Sequence, residues 1–280
     1  MPSTPPLTLS FDLEDHRPSP PPWPERFTEH THVLLDWLDE RDITATVFVV
    51  GELARDNPDL VRAVAARGHE LALHSWTHTQ LTLSTPEQFR TDVRRGKALL
   101  EDLTGTPVLG YRAPTASLVR RTVRATEVLA DEGYAYSSSV IPARNPLFGF
   151  EGVPSRPFRW PSGLAEFPIH VAGVGPVKLP FTAGTYLRVL PWPVIEALRR
   201  RSPWGEGNCT YFHPYDFDTG EPFHWLDDAG WLSPLIWMGR GRMLDRLDRL
   251  FRHGAAPPYR ELLHLADQGG TVDLEAVLAS

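Results

Sequence analysis

Cysteine is almost absent from this sequence of 280 residues, because Cys209 is the only one. An intrachain disulfide is therefore impossible, and a zinc cluster built from four cysteines is excluded. No apolar run approaches the roughly 20 residues that a membrane-spanning helix needs. The residues from Met1 to Pro6 contain no basic stretch followed by an apolar one, so no secretory signal is visible and the sequence predicts a cytoplasmic protein.

Lysine is also scarce, with only Lys97 and Lys178, and arginine supplies the remaining basic residues. The sequence has 28 basic and 35 acidic residues, which gives a formal net charge of −7. This balance argues against nucleic-acid binding, because affinity for phosphate needs a concentration of positive charge. The local arginine clusters, at Arg199–Arg201 and at Arg240 and Arg242, are expected to be solvated helix faces. With 41% hydrophobic residues, the chain predicts a globular protein with a full core.

Strand-like and helical patterns alternate along the first half of the chain. This alternation predicts a parallel sheet with crossover helices, either doubly wound or barrel-shaped, because periodicity alone does not separate the two. Ser84-Thr85-Pro86-Glu87 predicts the start of a long helix, since a capping residue is followed by proline and an acid. The predicted strands cover 7–11, 44–50, 70–74, 108–111 and 134–139, and the predicted helices cover 28–40, 58–66, 86–103 and 120–131.

The alternation stops after Ser139, where proline, glycine and aromatic residues crowd the chain as far as 185 and Gly173–Gly175 predicts a loop. Such long connections are uncommon unless they have a function, so we predict a loop-rich cap at about 140–190. One domain over 1–280 is expected, with a C-terminal helical extension from about 240. The sequence leaves open whether the tail after Arg252 belongs to the core, a partner surface or a lid, and whether the protein is a homo-oligomer. Later elements are predicted as helices over 192–201, 240–252 and 274–278 and a strand over 208–212.

Ionisable residues follow the carboxyl ends of four predicted strands, where the loops of a parallel sheet converge. The first strand supplies three carboxylates, Asp12, Glu14 and Asp15. One of them can bind a metal ion while another, left without metal, takes a proton, because two close carboxylates repel each other unless a cation lies between them. Spacing alone does not decide whether Glu14 or Asp15 binds the metal.

Two histidines, His74 and His78, follow the third strand at a spacing of four. On a helical turn this spacing places both imidazoles on one side, near enough to share a metal ion. Zinc peptidases keep a general-base glutamate after the first of two such histidines, but Ser75 occupies that position here, so the base must come from elsewhere. With a carboxylate from the first strand, the pair forms a metal site with open positions for water and substrate.

Arg112 and His213 follow two further strands. Arg112 precedes Pro114, which stiffens the turn, and its guanidinium can bind or orient an anion such as the base carboxylate. A surface salt bridge is the alternative for Arg112. His213 ends an apolar strand and could be a core histidine, but the nearby Asp216 could orient or charge its imidazole, which favours a function.

Four motifs stand in order along the chain: Phe11-Asp12-Leu13-Glu14-Asp15, His74-Ser75-Trp76-Thr77-His78, Tyr111-Arg112-Ala113-Pro114 and Phe212-His213-Pro214-Tyr215-Asp216. This set resembles the polysaccharide deacetylases with a NodB-type domain, carbohydrate esterase family 4. The resemblance covers about residues 7 to 218 and, with Glu166-Phe167-Pro168, is most similar to the subfamily linked to bacterial exopolysaccharide operons. It implies an α/β fold, a distorted, incomplete (β/α) barrel with seven or eight parallel strands.

The resemblance also implies roles for the motif residues and one divalent metal ion, usually zinc. The implied roles are Asp12 as catalytic base, His213 as general acid, Arg112 as the partner of Asp12, and His74, His78 and either Glu14 or Asp15 as metal ligands.

Two departures from the family pattern affect these roles. Leu13 separates acids that are adjacent in the commonest first motif, and no Asp-Trp fourth motif is evident, so Glu166 or Asp216 is expected in its place. A backbone N–H near Tyr111 is expected to hold the oxyanion. The expected substrate-binding residues are Tyr111, Trp76, Pro114 and Glu166, and further sugar-stacking candidates are Phe148, Phe150, Phe158, Trp160 and Phe167.

The implied reaction is hydrolysis of an N-acetyl group from an amino-sugar substrate, giving acetate and a free amine. Without a visible export signal, a nucleotide-, lipid- or metabolite-linked amino sugar is expected rather than mature cell-wall polymer. One alternative keeps the fold but opens cyclic imides or ureides, as allantoinase-like relatives do. Another is a catalytically silent sugar-binding protein. The intact set of Asp12, His74, His78 and His213 argues against the last, because binding alone needs no general acid.

Overall fold

The structure is a computed structural model that describes residues 6–144, 148–174, 177–201, 207–226 and 230–279. Its strands are β1 (Ser10–Leu13), β2 (Thr46–Val49), β3 (Glu70–Leu73), β4 (Gly110–Tyr111), β5 (Tyr136–Ser137), β6 (Phe158–Arg159), β7 (Ala165–Glu166), β8 (Ala172–Val174) and β9 (Val177–Leu179). Seven of them form one sheet in the order β1-β2-β3-β4-β5-β7-β6. All neighbouring pairs are parallel except β6 and β7, so the predicted parallel α/β sheet is confirmed, with one antiparallel edge strand.

Helices follow most of the strands. The helix predicted over 58–66 has those bounds, whereas the one predicted over 120–131 begins as a 3₁₀ turn at Arg120–Thr122. No described helix combines the length and the apolar content that a bilayer crossing requires. The helices are α1 (Phe27–Asp39), α2 (Gly51–Asp56), α3 (Pro58–Ala66), α4 (Pro86–Thr104), α5 (Ala125–Asp131), α6 (Gly184–Val189), α7 (Trp192–Arg201), α8 (Ser233–Trp237), α9 (Met243–Leu250), α10 (Leu263–Gly269) and α11 (Leu274–Ala279).

The core lies on both faces of the sheet, since every residue of β1, β2 and β3 is buried. Helix α4 begins at the predicted cap, where Thr85 and Gln88 exchange hydrogen bonds. It approaches β3 closely at Gly96, because a Cβ at this position would lie 2.4 Å from Cδ1 of Leu73. This contact fixes the end of β3, after which the first motif histidine follows.

An irregular segment, 207–213, lies beside β1 and extends the sheet there. Cys209 bridges to Thr8, and the backbone N–H of Asp12 donates to the carbonyl of Phe212 at 2.9 Å. The strand predicted over 208–212 is therefore wrong, because isolated bridges replace a ladder. Among the described residues no pairing closes the sheet between β6 and this segment, so the barrel is incomplete, as expected.

The segment 140–190 contributes more regular structure than the predicted cap. Strands β6 and β7 join the main sheet, and β8 pairs with β9, so Gly173 lies in a strand rather than in the predicted loop. The tail after Arg252 belongs to the core, since the ring of Tyr259 packs against Phe48, Tyr136 and Phe167. The organisation as one domain stays a prediction.

Candidate metal and catalytic site

The motif residues meet at the carboxyl edge of the sheet, each held by the strand before it. Asp12 lies in β1, His74 directly follows β3, and Arg112 directly follows β4. His213 follows Phe212, whose carbonyl accepts a hydrogen bond from the backbone N–H of Asp12. The expected convergence of distant loops at one edge is therefore present.

Glu14, His74 and His78 bring together three ligand atoms that all lie within 4.8 Å of one another. Oε2 of Glu14 is 2.6 Å from Nε2 of His78 and 3.3 Å from Nε2 of His74. Glu14 Oε2 and His74 Nε2 are both buried, and in the part of the chain that the structure describes neither atom makes a hydrogen bond of suitable geometry, although Glu14 Oε2 is within ion-pair distance of both rings. Buried polar atoms of this kind need a partner, and this donor set suits a divalent cation, so the residues fit the implied metal.

The orientation of His74 is set by its second ring nitrogen. Nδ1 lies 2.9 Å from the carbonyl of Arg112, to which it donates a hydrogen bond. This bond fixes the tautomer, so Nε2 carries the lone pair that a metal needs. Arg112 therefore helps to form the metal site through its backbone as well as the catalytic site through its side chain.

The loop that carries the two histidines is not helical, so the predicted helical turn is wrong. Ser75 and His78 both have positive φ, at 61° and 57°. The carbonyls of Ser75 and Trp76 accept hydrogen bonds from the backbone of Gly51 and Glu52 at the start of α2. Side chains other than glycine rarely adopt this conformation, and backbone strain of this kind often accompanies a functional constraint. The strained turn brings the His74 and His78 rings to a centroid distance of 5.0 Å.

Glu14, and not Asp15, faces the histidines. Asp15 points away and pairs with Arg17 at 2.7 Å, so it is wrong as a metal ligand. Alternate residues of an extended strand point to the same face, and Ser10, Asp12 and Glu14 follow that alternation. This period of two could have decided between the two acids from the sequence alone.

Asp12 and Arg112 form a fully buried ion pair. Nη1 of Arg112 donates to Oδ1 of Asp12 at 2.7 Å, and Nη2 donates to the hydroxyls of Ser10 and Ser138, each at 3.0 Å. The surface salt bridge considered for Arg112 is therefore wrong. Oδ2 of Asp12 has no hydrogen-bond partner among the described residues and lies 3.4 Å from Nε2 of His74. One carboxylate oxygen is thus anchored while the other faces the metal cluster.

His213 also lies beside Glu14. Its Nε2 lies 3.4 Å from Oε1 of Glu14, and its Nδ1 lies 3.1 Å from Oδ2 of Asp216. Arg188 from α6 donates to the other oxygen of Asp216 at 2.6 Å. The hydroxyl of Tyr215 donates to Oε1 of Glu14 at 3.0 Å, and its ring stacks on His213. Sequence reasoning found Asp216 and quoted Tyr215 in the fourth motif without giving it a role, but it missed Arg188, which no motif spacing indicated.

Opposite charges outweigh burial in this cluster. Burial raises the pKa of Glu14, but the facing His78 and His213 hold that pKa well below its ordinary value. Burial lowers the pKa of His78 and of His213, but Glu14 raises both above the ordinary range. Arg188 and His213 likewise lower the pKa of Asp216 to about 2 against its burial. Glu14 and Asp216 are therefore held in their ionised form.

The side chains of three expected substrate-binding residues, Tyr111, Trp76 and Pro114, are buried in the structure. Tyr111 is buried between the rings of Phe89 and Tyr134, and Trp76 is buried under the guanidinium of Arg95. Pro114 is also buried and begins a 3₁₀ turn.

Glu166 does not reach the site. Its carboxylate accepts hydrogen bonds from the backbone of Ser139 and Val140 and from the indole of Trp160. In the structure Glu166 fixes the chain after β5. Of the two acids expected beside the catalytic histidine, Asp216 is the one that contacts His213. Of the other stacking candidates, Phe150, Phe158, Trp160 and Phe167 are core residues.

Comparison with known proteins agrees with these motifs. Residues 2–136 match the family model for polysaccharide deacetylase, and residues 138–262 match a domain of unknown function, DUF3473. A chitooligosaccharide deacetylase of Rhizobium leguminosarum bv. trifolii is 44% identical over 64 residues, 23% of this chain and 30% of the relative. A peptidoglycan-N-acetylglucosamine deacetylase of Bacillus cereus is 28% identical over 100 residues, 35% of this chain and 36% of the relative. The matches thus span only about a third of these curated relatives.

Solved structures share the fold over almost the whole chain. A Mycobacterium smegmatis structure described as a polysaccharide deacetylase has a TM-score of 0.61 at 20% identity and covers 96% of this chain and 93% of its own. A family 4 carbohydrate esterase pseudoenzyme from Bacillus anthracis has a TM-score of 0.53 at 14% identity. The alignment covers 98% of this chain and 69% of the pseudoenzyme chain. The motifs and the matched family models identify residues 2–136 as a polysaccharide deacetylase domain, which DUF3473 follows as in the exopolysaccharide-associated type, and the solved structures show that the fold is that of carbohydrate esterase family 4.

Proposed function

We propose that this chain is a metal-dependent hydrolase that removes an N-acetyl group from an amino-sugar substrate and releases acetate. One observation carries the proposal: an unpartnered oxygen of Asp12 lies beside the cluster of Glu14, His74 and His78. Hydrolysis of an amide needs both an activated water and a base to deprotonate it. The names of the Rhizobium and Bacillus cereus relatives support the substrate class, since both are deacetylases of N-acetylated sugars.

The proposed metal is zinc, because two imidazole nitrogens and one carboxylate form a common set of catalytic zinc ligands. Glu14, His74 and His78 would hold it. When bound, a divalent cation of this kind supplies a Lewis acid that polarises the acetyl carbonyl and lowers the pKa of water.

Two residues beside the cluster, Asp12 and His213, would move protons. Oδ2 of Asp12 accepts a proton from the attacking water, while Arg112 holds Oδ1. The water oxygen bonds to the acetyl carbon, and the carbon–nitrogen bond then breaks. Nε2 of His213 donates a proton to the departing nitrogen, since an amine leaves poorly as an anion.

The fold does not decide between an enzyme and a silent sugar-binding protein, because the Bacillus anthracis structure is a pseudoenzyme on this fold. The residues favour an enzyme, since sugar binding requires neither a buried base nor a histidine held by its own carboxylate. Hydrolysis of cyclic imides finds no support in the relatives reported above. The cytoplasmic location and the internally made substrate stay predictions, which fractionation of cells and a substrate panel would test.

The experiment is elemental analysis of purified protein paired with acetate release from nucleotide-linked, lipid-linked and oligomeric N-acetyl sugars, with cyclic imides as competing substrates. We expect one equivalent of zinc and acetate release that a chelator abolishes. Glu14→Gln should lose both, whereas Asp15→Asn, the matched change at the neighbouring acid, should keep both. Binding of sugars without acetate release, or imide opening alone, would contradict the proposal.

A further inference from the structure

The ring of Tyr215 lies between two parallel imidazole rings. His213 stacks on it with ring centroids 4.4 Å apart and an interplanar angle of 11°, and His16 stacks on it at 3.8 Å and 5°. Two rings this close to Tyr215 would overlap if they shared one face, so they cover its opposite faces. We call these three rings the ring stack. His213 and Tyr215 already belong to the site, whereas His16 has no part in the chemistry proposed above.

Tyr215 connects the proposed general acid with the metal ligands. Its hydroxyl donates to Oε1 of Glu14 at 3.0 Å, and the same oxygen lies 3.4 Å from Nε2 of His213. The other oxygen of Glu14 faces His74 and His78. A tilt of the Tyr215 ring would therefore move its hydroxyl away from Glu14 and its face away from His213. The orientation of this one ring affects both a metal ligand and the acid.

His16 is itself held in place by a buried ion pair. Its Nε2 donates to both carboxylate oxygens of Glu221, each at 2.8 Å, and Arg240 donates to Oε2 of Glu221 at 2.7 Å. The side chains of Arg240 and Glu221 are only 2% and 5% exposed, so water competes little for these bonds. The indole of Trp237 also stacks on His16, at 5.7 Å. Charge-assisted bonds and ring contacts together fix the plane of the His16 imidazole.

The ring stack joins two parts of the chain that are distant in the sequence. His16 follows Glu14 by two residues in the loop after β1, whereas Tyr215 lies in the 3₁₀ turn Pro214–Phe217. Connecting segments of this kind are more mobile than the strands before them. The stack therefore ties the loop that supplies the metal carboxylate to the turn that follows the acid.

We propose that His16 is a positioning residue for the deacetylation, a role that rests on the function proposed above. Its ring supports one face of Tyr215, which keeps the hydroxyl on Glu14 and the opposite face on His213. His16 acts through Tyr215, because its own Nε2 is bonded to Glu221. Groups that orient a metal ligand in this way change metal affinity or activity by about 10–100-fold when they are removed.

Two substitutions separate the ring of His16 from its hydrogen bond. His16→Phe keeps a flat ring against Tyr215 but loses the bond to Glu221, whereas His16→Gln keeps a donor near the position of Nε2 but loses the ring. With zinc in excess, His16→Gln should lower kcat for acetate release by about 10–100-fold and leave KM within about threefold, since His16 acts on the site and not on the substrate. His16→Phe should keep kcat within about threefold of the parent.

Zinc affinity gives a readout that needs no turnover. Competition with a chromogenic chelator should show affinity about tenfold weaker in His16→Gln and close to that of the parent in His16→Phe, because only the first leaves Tyr215 unsupported behind Glu14. Unfolding temperatures are measured on the same samples. If His16→Gln does not fold, His16→Asn replaces it as the variant without a ring.

His30 provides the matched control. Its Nε2 lies 3.1 Å from Oδ1 of Asp218, and its side chain is 14% exposed against 11% for His16. Its ring meets Phe217 edge-on at 5.6 Å, outside the ring stack. His30→Phe and His30→Gln should therefore keep kcat and zinc affinity, even where the unfolding temperature falls.

Kinetics and zinc affinity like those of the parent in His16→Gln would overturn the proposal. Equal losses in His16→Phe and His16→Gln would also overturn it, because they would assign His16 a structural role through Glu221. A parent that binds zinc but releases no acetate from any N-acetyl sugar would contradict the proposed function instead. In that case the zinc affinities of the two variants still decide whether His16 positions Glu14, whereas a parent that binds no zinc would overturn both.

Discussion

Asp12 has two oxygens with unequal surroundings, and its proposed role depends on that difference. Oδ1 accepts a charge-assisted hydrogen bond from Arg112, while Oδ2 has no partner in the described chain and faces the metal ligands. Arg112 is itself held by Ser10 and Ser138, so the carboxylate cannot rotate freely. A base that is anchored through one oxygen can accept a proton on its other, unpartnered oxygen without first breaking a hydrogen bond.

Asp12→Asn should lower kcat by about 10²–10⁴-fold, because an amide keeps the shape but cannot accept the proton. The metal content should stay unchanged, since Asp12 is not among the ligand atoms of the cluster. Acetate release and elemental analysis on the same sample measure both. An active variant would contradict the role of Asp12 as base.

Tyr215→Phe should weaken metal affinity by about 10–100-fold, because the hydroxyl that orients Glu14 is lost while the stacked ring remains. Competition with a chromogenic chelator measures the affinity without any need for turnover. Tyr134→Phe is the matched control, since it removes a hydroxyl bonded to the carbonyl of Val93, away from the site. Equal metal affinity in both variants would show that Tyr215 does not position Glu14.

Among the elements, the β1–β5 region and its helices could be predicted, because apolar runs and caps mark long elements clearly. Strands β6 and β7 could not be, although β4 and β5 are equally short, because proline, glycine and aromatic residues crowd the chain around β6 and β7 and leave no alternation to see. In the site, the motifs identified the ligand histidines, but spacing suggested a helical turn where the structure has a strained loop at Ser75 and His78. The role of Arg188 depends on tertiary packing of α6 and carried no local signal.

The contact between α4 and β3 predicts an unusual effect of an added methyl group. Gly96→Ala should destabilise the protein by about 1–3 kcal/mol, although alanine favours helices, because the new Cβ would overlap buried Leu73. Chemical unfolding measures the change in free energy. Asp102→Ala, on the exposed side of the same helix, should stay within about 0.5 kcal/mol of the unchanged protein. A Gly96→Ala variant at least as stable as the parent would mean that the helix and strand are not in close contact.

For the whole molecule, the site crosses the boundary between the two matched family segments. Asp12, His74 and Arg112 come from the segment 2–136, whereas His213 and its partners come from 138–262. The second segment also supplies β6 and β7 to the same sheet. Neither segment alone therefore contains both the proposed base and the proposed acid.

Stability should fall in mild acid because of a buried histidine. His69 accepts a hydrogen bond from the backbone of Ala45, and burial lowers its pKa from 6.5 to about 4. The unfolded chain binds a proton below about pH 6.5, but the folded protein does so only below about pH 4. Stability is therefore lost as the pH falls between these values, by no more than about 3 kcal/mol.

His69→Asn removes this titration but can keep an acceptor near the position of Nδ1. Unfolding free energies of both proteins are measured from pH 7 to pH 4, and the stability of the parent relative to the variant should fall with the pH, because the other titrating groups are common to both. A constant difference across that interval would mean that His69 is not held neutral.

The most direct measurement is a crystal structure of the zinc-loaded protein with anomalous diffraction collected at the zinc edge. A single strong peak is expected within bonding distance of Glu14 Oε2, His74 Nε2 and His78 Nε2, with Oδ2 of Asp12 close by but outside the ligand set. A peak on Asp15, or no peak between the two imidazoles, would contradict this assignment and the chemistry that depends on it.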